Sequence, residues 1–377
     1  MRVGLNLLYL VERSGGVGRY MRELTAGLVR SGVEVVGFAS RDLPADVRRA
    51  DWAAAVEWVE LPIRVTAGPP GWILATTGAQ WLGLPALARR HRLDLIHGPA
   101  YIAPPVSPGV RSIVTIPDLV YTRYPTLLDA RTRLGMRLTV RPSARGADRV
   151  IAISRTVADD VVATLGIKPG KVDVTALGGE VASRAVPAPR EELGLALPDG
   201  TPLVLCVAQK RVHKNLQRLL EAVAQIQEPL VLALVGFPTP HEEELRATAD
   251  RLGVAHRVRF VGWVSEEHLE GLYAAATCCC LPSLEEGFGL PVLEAMAREV
   301  PVACSGTGAL GEVAGSAAEL FDPLDPAAIA AALRRLLQDA RRRAELVDRG
   351  RTRAAEFTWD RCARETLAVY ERALAGP

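Results

Sequence analysis

Two glutamates, Glu286 and Glu294, lie on either side of a short loop that contains Gly287 and Gly289. Glycine has no Cβ, so the backbone of such a loop can approach a ligand closely. The spacing places Glu286 at the mouth of a ligand pocket and Glu294 on the flank of the element that follows. Taken alone, such a pair is more often a solvated loop charge and a partner of a helix dipole.

The elements that hold the two glutamates form a strand–loop–helix unit. Residues 276–281 are a short apolar run of the length of a buried strand. Pro291 then opens a run with helical spacing, and proline is favoured at the first helical position because its missing N–H would have no partner there. In an open α/β sheet, this unit binds ligands at the carboxyl end of the strand, facing the helix N-terminus.

A second loop of this kind carries Lys210 and Lys214, with His213 beside them. It follows an apolar run at 203–208 that predicts a strand, and Asn215 then caps a predicted helix with apolar residues at helical intervals. Positive charge at a helix N-terminus stabilises an anionic ligand. The plain alternative is a loop of ordinary surface lysines.

These motifs resemble the Glu–seven–Glu signature of retaining GT-B glycosyltransferases, and of the large family 4 in particular. The string EGFGLPVLEAMA at 286–297 carries most of the resemblance, and FVGWVS at 260–265 adds to it. The resemblance implies an α/β fold with two Rossmann-like domains that face each other across a cleft. It also implies transfer of a hexose, with retention, from a nucleotide-diphosphate sugar to a sugar or lipid-linked acceptor. Bacterial mannosyltransferases are most similar, so a GDP-mannose donor is favoured over a UDP-hexose.

By position, the resemblance assigns a role to each matching residue. Glu286 meets hydroxyls of the donor sugar, Glu294 binds the ribose, and Lys214 binds the diphosphate. The nucleobase is read at Trp263 and Val264. The remaining donor-binding candidates are Gly15, Gly16, Asn215, Gly287, Phe288, Gly289 and Leu290.

The chain departs from the family at His213, where an arginine is usual. Histidine carries less charge at neutral pH and cannot chelate phosphate with a fork of N–H groups. Lys214 is therefore expected to bear more of the diphosphate charge, with help from Lys210 or Arg211.

A second departure is Pro117, where the family has a histidine beside the reacting sugar. Proline can neither donate nor accept a side-chain hydrogen bond. Either catalysis is lost, or Asp118 or His97 covers the polar contacts, and we favour the second because every donor-side element is kept. Tyr101 is a further acceptor-side candidate. The candidate catalytic residues are thus Lys214, Glu286, His213 and Asp118.

A shift in composition near residue 179 predicts the domain boundary. Residues 1–178 are the N-terminal, acceptor-side Rossmann-like domain, because strands and helices alternate there. Residues 179–356 are the donor-binding domain. Residues 357–377 resemble the family's terminal helix, which packs back on the first domain.

A predicted helix at 131–149 carries Arg133, Arg137, Arg141 and Arg145 at intervals of four, which places them along one face. Such a stripe is more often solvated, and otherwise it is a surface for anionic lipid or for the acceptor.

Composition limits the classes of function. A formal net charge of +2 argues against a dedicated nucleic-acid binder. The six cysteines lie mainly in apolar runs without a CxxC pair, which is typical of reduced thiols in a cytoplasmic protein. No run approaches the length of a membrane span, so we expect a cytoplasmic enzyme that touches a membrane only at its surface. No cofactor and no metal are expected, since the chain lacks the Asp-x-Asp element of cation-dependent glycosyltransferases.

Three alternatives stay open. A sugar phosphorylase or a nucleotide-sugar epimerase could use the same fold, and phosphorolysis would require extra anion-binding residues. A non-catalytic subunit could keep the nucleotide-sugar pocket without turnover. An NAD-dependent oxidoreductase is disfavoured, because the third glycine of its fingerprint would fall at Met21.

Overall fold

The computed structural model of the chain describes residues 1–12, 14–65, 76–179, 185–198 and 200–376. The chain divides into two compact units, and each is built on its own sheet. Unit 1 consists of Met1–Gly178 and Thr358–Pro377, and unit 2 consists of Gly179–Phe357. The last helix of the chain therefore belongs to unit 1.

Both sheets are parallel throughout. The strands are β1 Arg2–Leu7, β2 Glu34–Ala39, β3 Val56–Glu60, β4 Leu95–Gly98, β5 Arg111–Ile116, β6 Arg149–Ala152, β7 Val172–Val174, β8 Leu203–Val207, β9 Val231–Val235, β10 Val258–Val261, β11 Cys278–Leu281, β12 Val302–Ser305 and β13 Glu319–Phe321. Unit 1 has the strand order β3-β2-β1-β4-β5-β6-β7, and unit 2 has the order β10-β9-β8-β11-β12-β13.

Helices connect the strands. The helices of unit 1 are α1 Gly15–Arg30, α2 Ala45–Arg49, α3 Leu84–Arg90, α4 Val120–Arg123, α5 Ala130–Gly146 and α6 Arg155–Leu165. The helices of unit 2 are α7 Leu216–Ala224, α8 His241–Arg251, α9 Glu266–Ala275, α10 Leu290–Ala297, α11 Gly308–Ala314, α12 Pro326–Gln338 and α13 Ala340–Ala355. The last helix, α14 Trp359–Ala375, belongs to unit 1.

The core of unit 2 explains why its strands are nearly continuous apolar runs. In β9 and β11 every residue is buried. Leu219 and Leu220 of α7 and Leu333 of α12 pack into one apolar cluster with Leu232 of β9. Helices that cover both faces of a parallel sheet leave no solvated side for polar residues.

The topology places ligand sites at particular strand ends. In unit 1, β1 lies beside β4, and in unit 2, β8 lies beside β11. At each of these points the chain continues from one strand toward one edge of the sheet and from the other strand toward the opposite edge. In open α/β sheets the crevice for ligands forms at such a switch point, outside the carboxyl ends of the strands.

Several element boundaries differ from those predicted. The strand expected at 276–281 is limited to Cys278–Leu281, and α10 begins at Leu290, one residue before Pro291. The arginine helix ends at Gly146, because Ala147 has extended backbone angles and Arg149 already belongs to β6.

No helix within the described ranges is both long enough and apolar enough to cross a membrane.

Candidate active site

The site of unit 2 forms where the loops after β8 and β11 meet, because these strands are neighbours in the sheet. Lys214 Nζ lies 2.6 Å from Glu286 Oε1, and the Ser283 hydroxyl donates to the same oxygen at 2.8 Å. Lys214 is 17% exposed and Glu286 is 15% exposed. The two residues that the sequence singled out for chemistry therefore form one largely covered ion pair.

The ion pair sets the protonation state of Glu286. Burial raises the pKa of this carboxyl, but Lys214 and Ser283 outweigh the effect, so the pKa lies below its ordinary value of 4.5. An ionised carboxylate only accepts hydrogen bonds, whereas an ammonium has three N–H groups to donate. The pair thus offers acceptors for hydroxyl groups and donors for an anion side by side.

Asn215 has a different role from the one expected. It makes no side-chain capping bond to α7. Its buried amide donates to the carbonyl oxygens of Pro282 at 2.9 Å and Pro323 at 2.7 Å, and its oxygen accepts from Arg218 at 3.0 Å. The side-chain amide is consumed inside the protein, so Asn215 ties the site loops together and has no amide N–H left for a donor.

His213 is a neutral group in this setting. The residue is 7% exposed. Burial, followed by the neighbouring charge of Lys214, lowers the pKa of its imidazole to about 4. It therefore carries no positive charge at neutral pH in this structure, in line with the smaller charge expected of it, and its catalytic role stays a prediction. Its carbonyl oxygen accepts from the N–H of Leu284 at 2.8 Å, which links the two loops.

Lys210 is also unavailable to a ligand, although it lies four residues from Lys214. It is 0% exposed, and its ammonium donates to the carbonyl oxygens of Gly236 and Val261. Glu242 lies 3.8 Å away. The suggested help of Lys210 to the diphosphate is therefore wrong, because this ammonium joins the ends of β9 and β10.

The glycine loop presents backbone to a ligand. Gly289 has φ +109°, and a Cβ there would lie 2.5 Å from Leu310 Cδ2, so only glycine fits. Phe288 is 4% exposed and its ring contacts that of Phe357, while Leu290 is 9% exposed. The side chains of Phe288 and Leu290 therefore fill the core. Only the backbone of this segment can face a ligand, at the N-terminus of α10.

Glu294 lies in α10 and is held by a residue that the sequence did not single out. The hydroxyl of Tyr273, in α9, donates to Glu294 Oε2 at 3.3 Å. The Arg298 guanidinium lies 4.4 Å from the centre of the Tyr273 ring and pairs with Glu270. The sequence signal that could have identified Tyr273 is its position near the end of α9, the helix that precedes β11 and the loop with the two glutamates.

Trp263 and Val264 follow β10, also at the carboxyl edge of the sheet. The Trp263 indole is 61% exposed and stacks on Phe237, with 4.7 Å between ring centres and 19° between planes. Phe237 was not predicted as a site residue. Its position just after β9, in the sequence GF, was the signal that could have identified it.

In unit 1, Gly15 and Gly16 are the first residues of α1, which follows β1. Gly15 has φ +59°, a conformation that favours glycine. A Cβ on Gly18 would lie 1.8 Å from Ser14 Oγ, so the loop packs tightly against the helix. The first N–H groups of a helix have no intrahelical partner and attract anions, so the donor-binding role of Gly15 and Gly16 stays a prediction.

His97 is internal, contrary to the expectation that it replaces the family's histidine. It is 0% exposed, its Nδ1 lies 2.7 Å from the Tyr370 hydroxyl, and its Nε2 lies 2.8 Å from Thr115 Oγ1. Tyr20 also hydrogen-bonds Thr115, at 3.0 Å. Burial lowers the pKa of His97 to about 3, so the ring is neutral. This network fastens α14 to the sheet, and no ring nitrogen is left for a substrate.

Tyr101 and Asp118 are brought together after β4 and β5. The Tyr101 hydroxyl donates to Asp118 Oδ2 at 2.7 Å, and the Val120 N–H donates to Oδ1 at 3.1 Å. Tyr101 has φ +61°, which is unfavourable for a tyrosine, and its ring contacts Tyr121 edge-on. Pro117, directly before Asp118, is buried. The polar groups at this strand end therefore come from the Tyr101–Asp118 pair.

Across the part of the chain that the structure describes, no three His, Cys, Asp or Glu side chains are grouped so that they could hold a metal ion. The metal independence of the reaction stays a prediction.

Comparison with known proteins identifies the family. The sequence profile of Glycosyl transferases group 1 matches residues 190–353, and that of Glycosyltransferase Family 4 matches residues 14–178. A D-inositol 3-phosphate glycosyltransferase of Catenulispora acidiphila is 30% identical over 396 residues, which cover 96% of this chain and 91% of the relative. An MMP alpha-(1->4)-mannosyltransferase of Mycolicibacterium hassiacum is 35% identical over 239 residues, which cover 62% of this chain and 56% of the relative.

Solved structures share the fold. The sucrose-phosphate synthase from Thermosynechococcus elongatus matches with a TM-score of 0.79 at 24% identity and covers 100% of both chains. HepE of Anabaena, in complex with UDP and glucose, matches with a TM-score of 0.76 at 20% identity, over 99% of this chain and 100% of the other. The predicted architecture of two Rossmann-like domains is confirmed. The chain belongs to glycosyltransferase family 4, within the glycosyl transferases group 1, and is a glycosyltransferase of the GT-B fold.

Proposed function

We propose that this glycosyltransferase moves a hexose, with retention of configuration, from a nucleotide-diphosphate sugar to a sugar or lipid-linked acceptor. The observation that carries the proposal is the Lys214–Glu286 pair, 2.6 Å apart beside the N-terminus of α10. A nucleotide sugar has an anionic diphosphate next to a ring of hydroxyl groups. The Lys214–Glu286 pair complements these two groups, because the ammonium can bind the phosphates and the carboxylate can accept hydrogen bonds from the hydroxyls.

The reaction breaks the bond between the anomeric carbon and a phosphate oxygen, and the electron pair leaves with the diphosphate. The acceptor oxygen forms its bond to the same face of that carbon, and its proton passes to the departing phosphate oxygen. Lys214 and the backbone N–H groups of Gly289 and Leu290, at the start of α10, stabilise the charge that builds on the leaving group. Since these groups supply the positive charge, the proposal requires neither a metal nor a cofactor.

The donor occupies the carboxyl edge of the sheet in unit 2. Glu286 accepts from sugar hydroxyls, and Glu294, positioned by Tyr273, accepts from the ribose. The backbone of residues 287–290 faces the sugar and phosphates. In unit 1, the Tyr101–Asp118 pair contributes contacts on the acceptor side.

Mannose is the proposed hexose and GDP-mannose the proposed donor. One relative is named a MMP alpha-(1->4)-mannosyltransferase, and another, from Escherichia coli, is named O-antigen chain mannosyltransferase B. The second relative is 36% identical over 44% of this chain. UDP-hexoses are the next candidates.

Nucleotide release by the purified protein tests the proposal. GDP-mannose and UDP-glucose are each incubated with candidate sugar and lipid acceptors, with and without added inorganic phosphate. We expect GDP release that depends on acceptor and is absent in Lys214→Ala. Release that requires phosphate would indicate a phosphorylase, and binding of donors without release under any condition would contradict transfer.

We also propose that α5 contacts an anionic membrane surface from the cytoplasm. Leu134 and Leu138 are 53% and 51% exposed, and the exposed Arg137, Arg141 and Arg145 surround them on the helix. Arg133 is not part of this face, because it is half-buried. Apolar side chains with a basic rim are typical of helices that lie on anionic lipid. The six buried, free cysteines favour a reducing compartment such as the cytoplasm.

Vesicle flotation tests this contact. The protein is mixed with vesicles of phosphatidylcholine, with or without phosphatidylglycerol, at low and high salt. We expect binding only with phosphatidylglycerol, and a loss of about 1 kcal/mol for each arginine of the face changed to glutamine. A matched control changes three exposed arginines of α13, namely Arg341, Arg349 and Arg351. Flotation that does not depend on lipid charge would contradict the contact.

A further inference from the structure

A buried polar pair lies at the carboxyl end of β1 in unit 1. Asn6 is the one polar residue in the buried apolar run at 3–8, and it is 2% exposed. Its side-chain amide donates to Gln80 Oε1 at 2.6 Å, and Gln80 is 0% exposed. Burying polar groups costs free energy unless they are hydrogen-bonded, and a satisfied network fixes one arrangement of the groups that it joins. The pair therefore gives this strand end a defined geometry.

The pair fastens two loops. The Asn6 amide also donates to the carbonyl oxygen of Ile102 at 3.3 Å, and Gln80 Nε2 donates to the Tyr9 hydroxyl at 3.2 Å. Tyr9 lies in the loop after β1, and Ile102 lies in the loop after β4, directly after Tyr101. Since β1 and β4 are neighbours in the sheet, these loops meet at the switch point of unit 1, where α/β sheets bind ligands.

An unusual turn of helix presents Gln80 to this strand end. Residues Ala79–Gly83 form a π turn directly before α3. Such a turn holds one residue more than an α-helical turn, is rare, and is frequent at functional sites. The extra residue changes the direction of the side chains ahead of it by about 100° relative to α3. Leu82 of the same turn is 80% exposed, so the turn leaves an apolar residue in water while the polar Gln80 is covered.

We propose that Gln80 is a positioning residue for the acceptor. Through its bonds to Asn6 and Tyr9 it fixes the loops after β4 and β1, and the acceptor sugar is bound by its hydroxyl groups between them. This inference rests on the proposed function, because it takes the neighbouring Tyr101–Asp118 pair as the acceptor contact. Gln80 belongs to unit 1, whereas the donor groups belong to unit 2. Its loss therefore weakens use of the acceptor and leaves the affinity for the donor unchanged.

Steady-state kinetics of the full-length protein with GDP-mannose test the inference. The acceptor is whichever of methyl α-mannoside, methyl α-glucoside and octyl α-mannoside the wild-type protein uses fastest. Gln80→Met keeps the length of the side chain but makes neither hydrogen bond. We expect it to raise the KM for the acceptor by about tenfold, because buried polar groups lose their partner. The KM for GDP-mannose and the calorimetric affinity for GDP should not change.

A conservative variant and a control separate positioning from stability. In Gln80→Glu, a protonated carboxyl can accept from Asn6 and donate to Tyr9 as the amide does. Its acceptor KM should lie near the wild-type value at low pH and rise as the carboxyl ionises, a pH step that Gln80→Met lacks. The control is Thr25→Val, which removes a fully buried hydroxyl that donates to the Met21 carbonyl at 2.6 Å inside α1. It should lower the free energy of unfolding in urea and leave the acceptor KM unchanged.

The outcomes distinguish this inference from the proposed function. A normal acceptor KM in Gln80→Met, with turnover intact, would refute the positioning role and leave sugar transfer standing. An equal rise of the acceptor KM in Thr25→Val, or an equal rise of the KM for GDP-mannose in Gln80→Met, would show that the pair only stabilises the fold. If no acceptor supports release of GDP by the wild-type protein, the proposed mannosyl transfer fails together with the inference.

Discussion

Changing Glu286 to glutamine removes one charge of the Lys214–Glu286 pair and keeps its shape. The Lys214 ammonium would then lie 17% exposed without its counter-charge. Leaving one member of a buried pair uncompensated costs about 3–5 kcal/mol. Since both side chains keep some contact with water, we expect the free energy of unfolding to fall by about 2 kcal/mol. Urea denaturation followed by circular dichroism measures this loss.

A bound diphosphate should replace the missing charge. We expect GDP to stabilise Glu286→Gln more than it stabilises the wild-type protein, by about the 2 kcal/mol that was lost. The same concentration of GDP should stabilise Lys214→Met less, because that variant lacks the cation. The stabilisation by a ligand depends on the ligand concentration, so all variants are compared at the same concentration of GDP. In the double variant, the two single losses should not add, and the non-additivity measures the coupling of the pair.

The pH dependence of this effect has a definite sign. The pKa of Glu286 is lowered in the folded protein, so the pair contributes stability above the ordinary value of 4.5. That contribution is lost as the pH falls through the lowered pKa, and the difference between wild type and Glu286→Gln should then disappear. Additive single losses, with equal stabilisation of all variants by GDP, would refute both the buried pair and its place at the diphosphate.

Three further outcomes are expected. Glu294→Ala should weaken the bare nucleotide and the nucleotide sugar alike, by about 10- to 100-fold, and calorimetry that shows a loss for the sugar donor alone would contradict a ribose contact. In the folded protein the His97 ring stays neutral, with a pKa of about 3, whereas in the unfolded chain the same imidazole takes up a proton below pH 6.5. The free energy of unfolding should therefore fall by about 2 kcal/mol between pH 6.5 and pH 5. A denaturation series with an unchanged slope in His97→Gln would refute this account. Tyr101→Phe should lower turnover at saturating donor by about tenfold without affecting GDP binding. Normal turnover of this variant in steady-state kinetics would show that the Tyr101–Asp118 pair does not act on the acceptor.

The strand–loop–helix unit around the two glutamates could be predicted because its signals are local. Gly289 needs a positive φ, Pro291 suits the first turn of a helix, and an apolar run of strand length precedes them. The alternation of such units over the chain is likewise enough to predict parallel sheets. The edge strand Val56–Glu60 has partly exposed residues and no continuous apolar run, so it escaped prediction.

The roles of Lys210 and His213 could not be predicted, because they depend on distant contacts. Lys210 and Lys214 lie in one loop, and nothing in their local sequence distinguishes them. Lys210 turns inward because the carbonyl groups after β9 and β10 meet there, 26 and 51 residues further along the chain. His213 is neutral for a similar reason, since its burial is set by the loop that β11 brings against it. The resemblance already assigned the diphosphate mainly to Lys214, and the fold adds that Lys210 and His213 are buried beside it.

Pro117 lies next to the Tyr101–Asp118 pair that we propose for the acceptor side. It is buried at the end of β5 and directly precedes Asp118, whose carboxylate accepts from the Tyr101 hydroxyl at 2.7 Å. Tyr101 adopts a left-handed conformation that costs about 1–2 kcal/mol, and its N–H donates to the Thr115 carbonyl at 2.9 Å. Strained residues persist where their surroundings over-determine them, and they concentrate at functional sites. Since both ring nitrogens of His97 are used in holding α14, we propose that the Tyr101–Asp118 pair contacts the acceptor in place of the family's histidine.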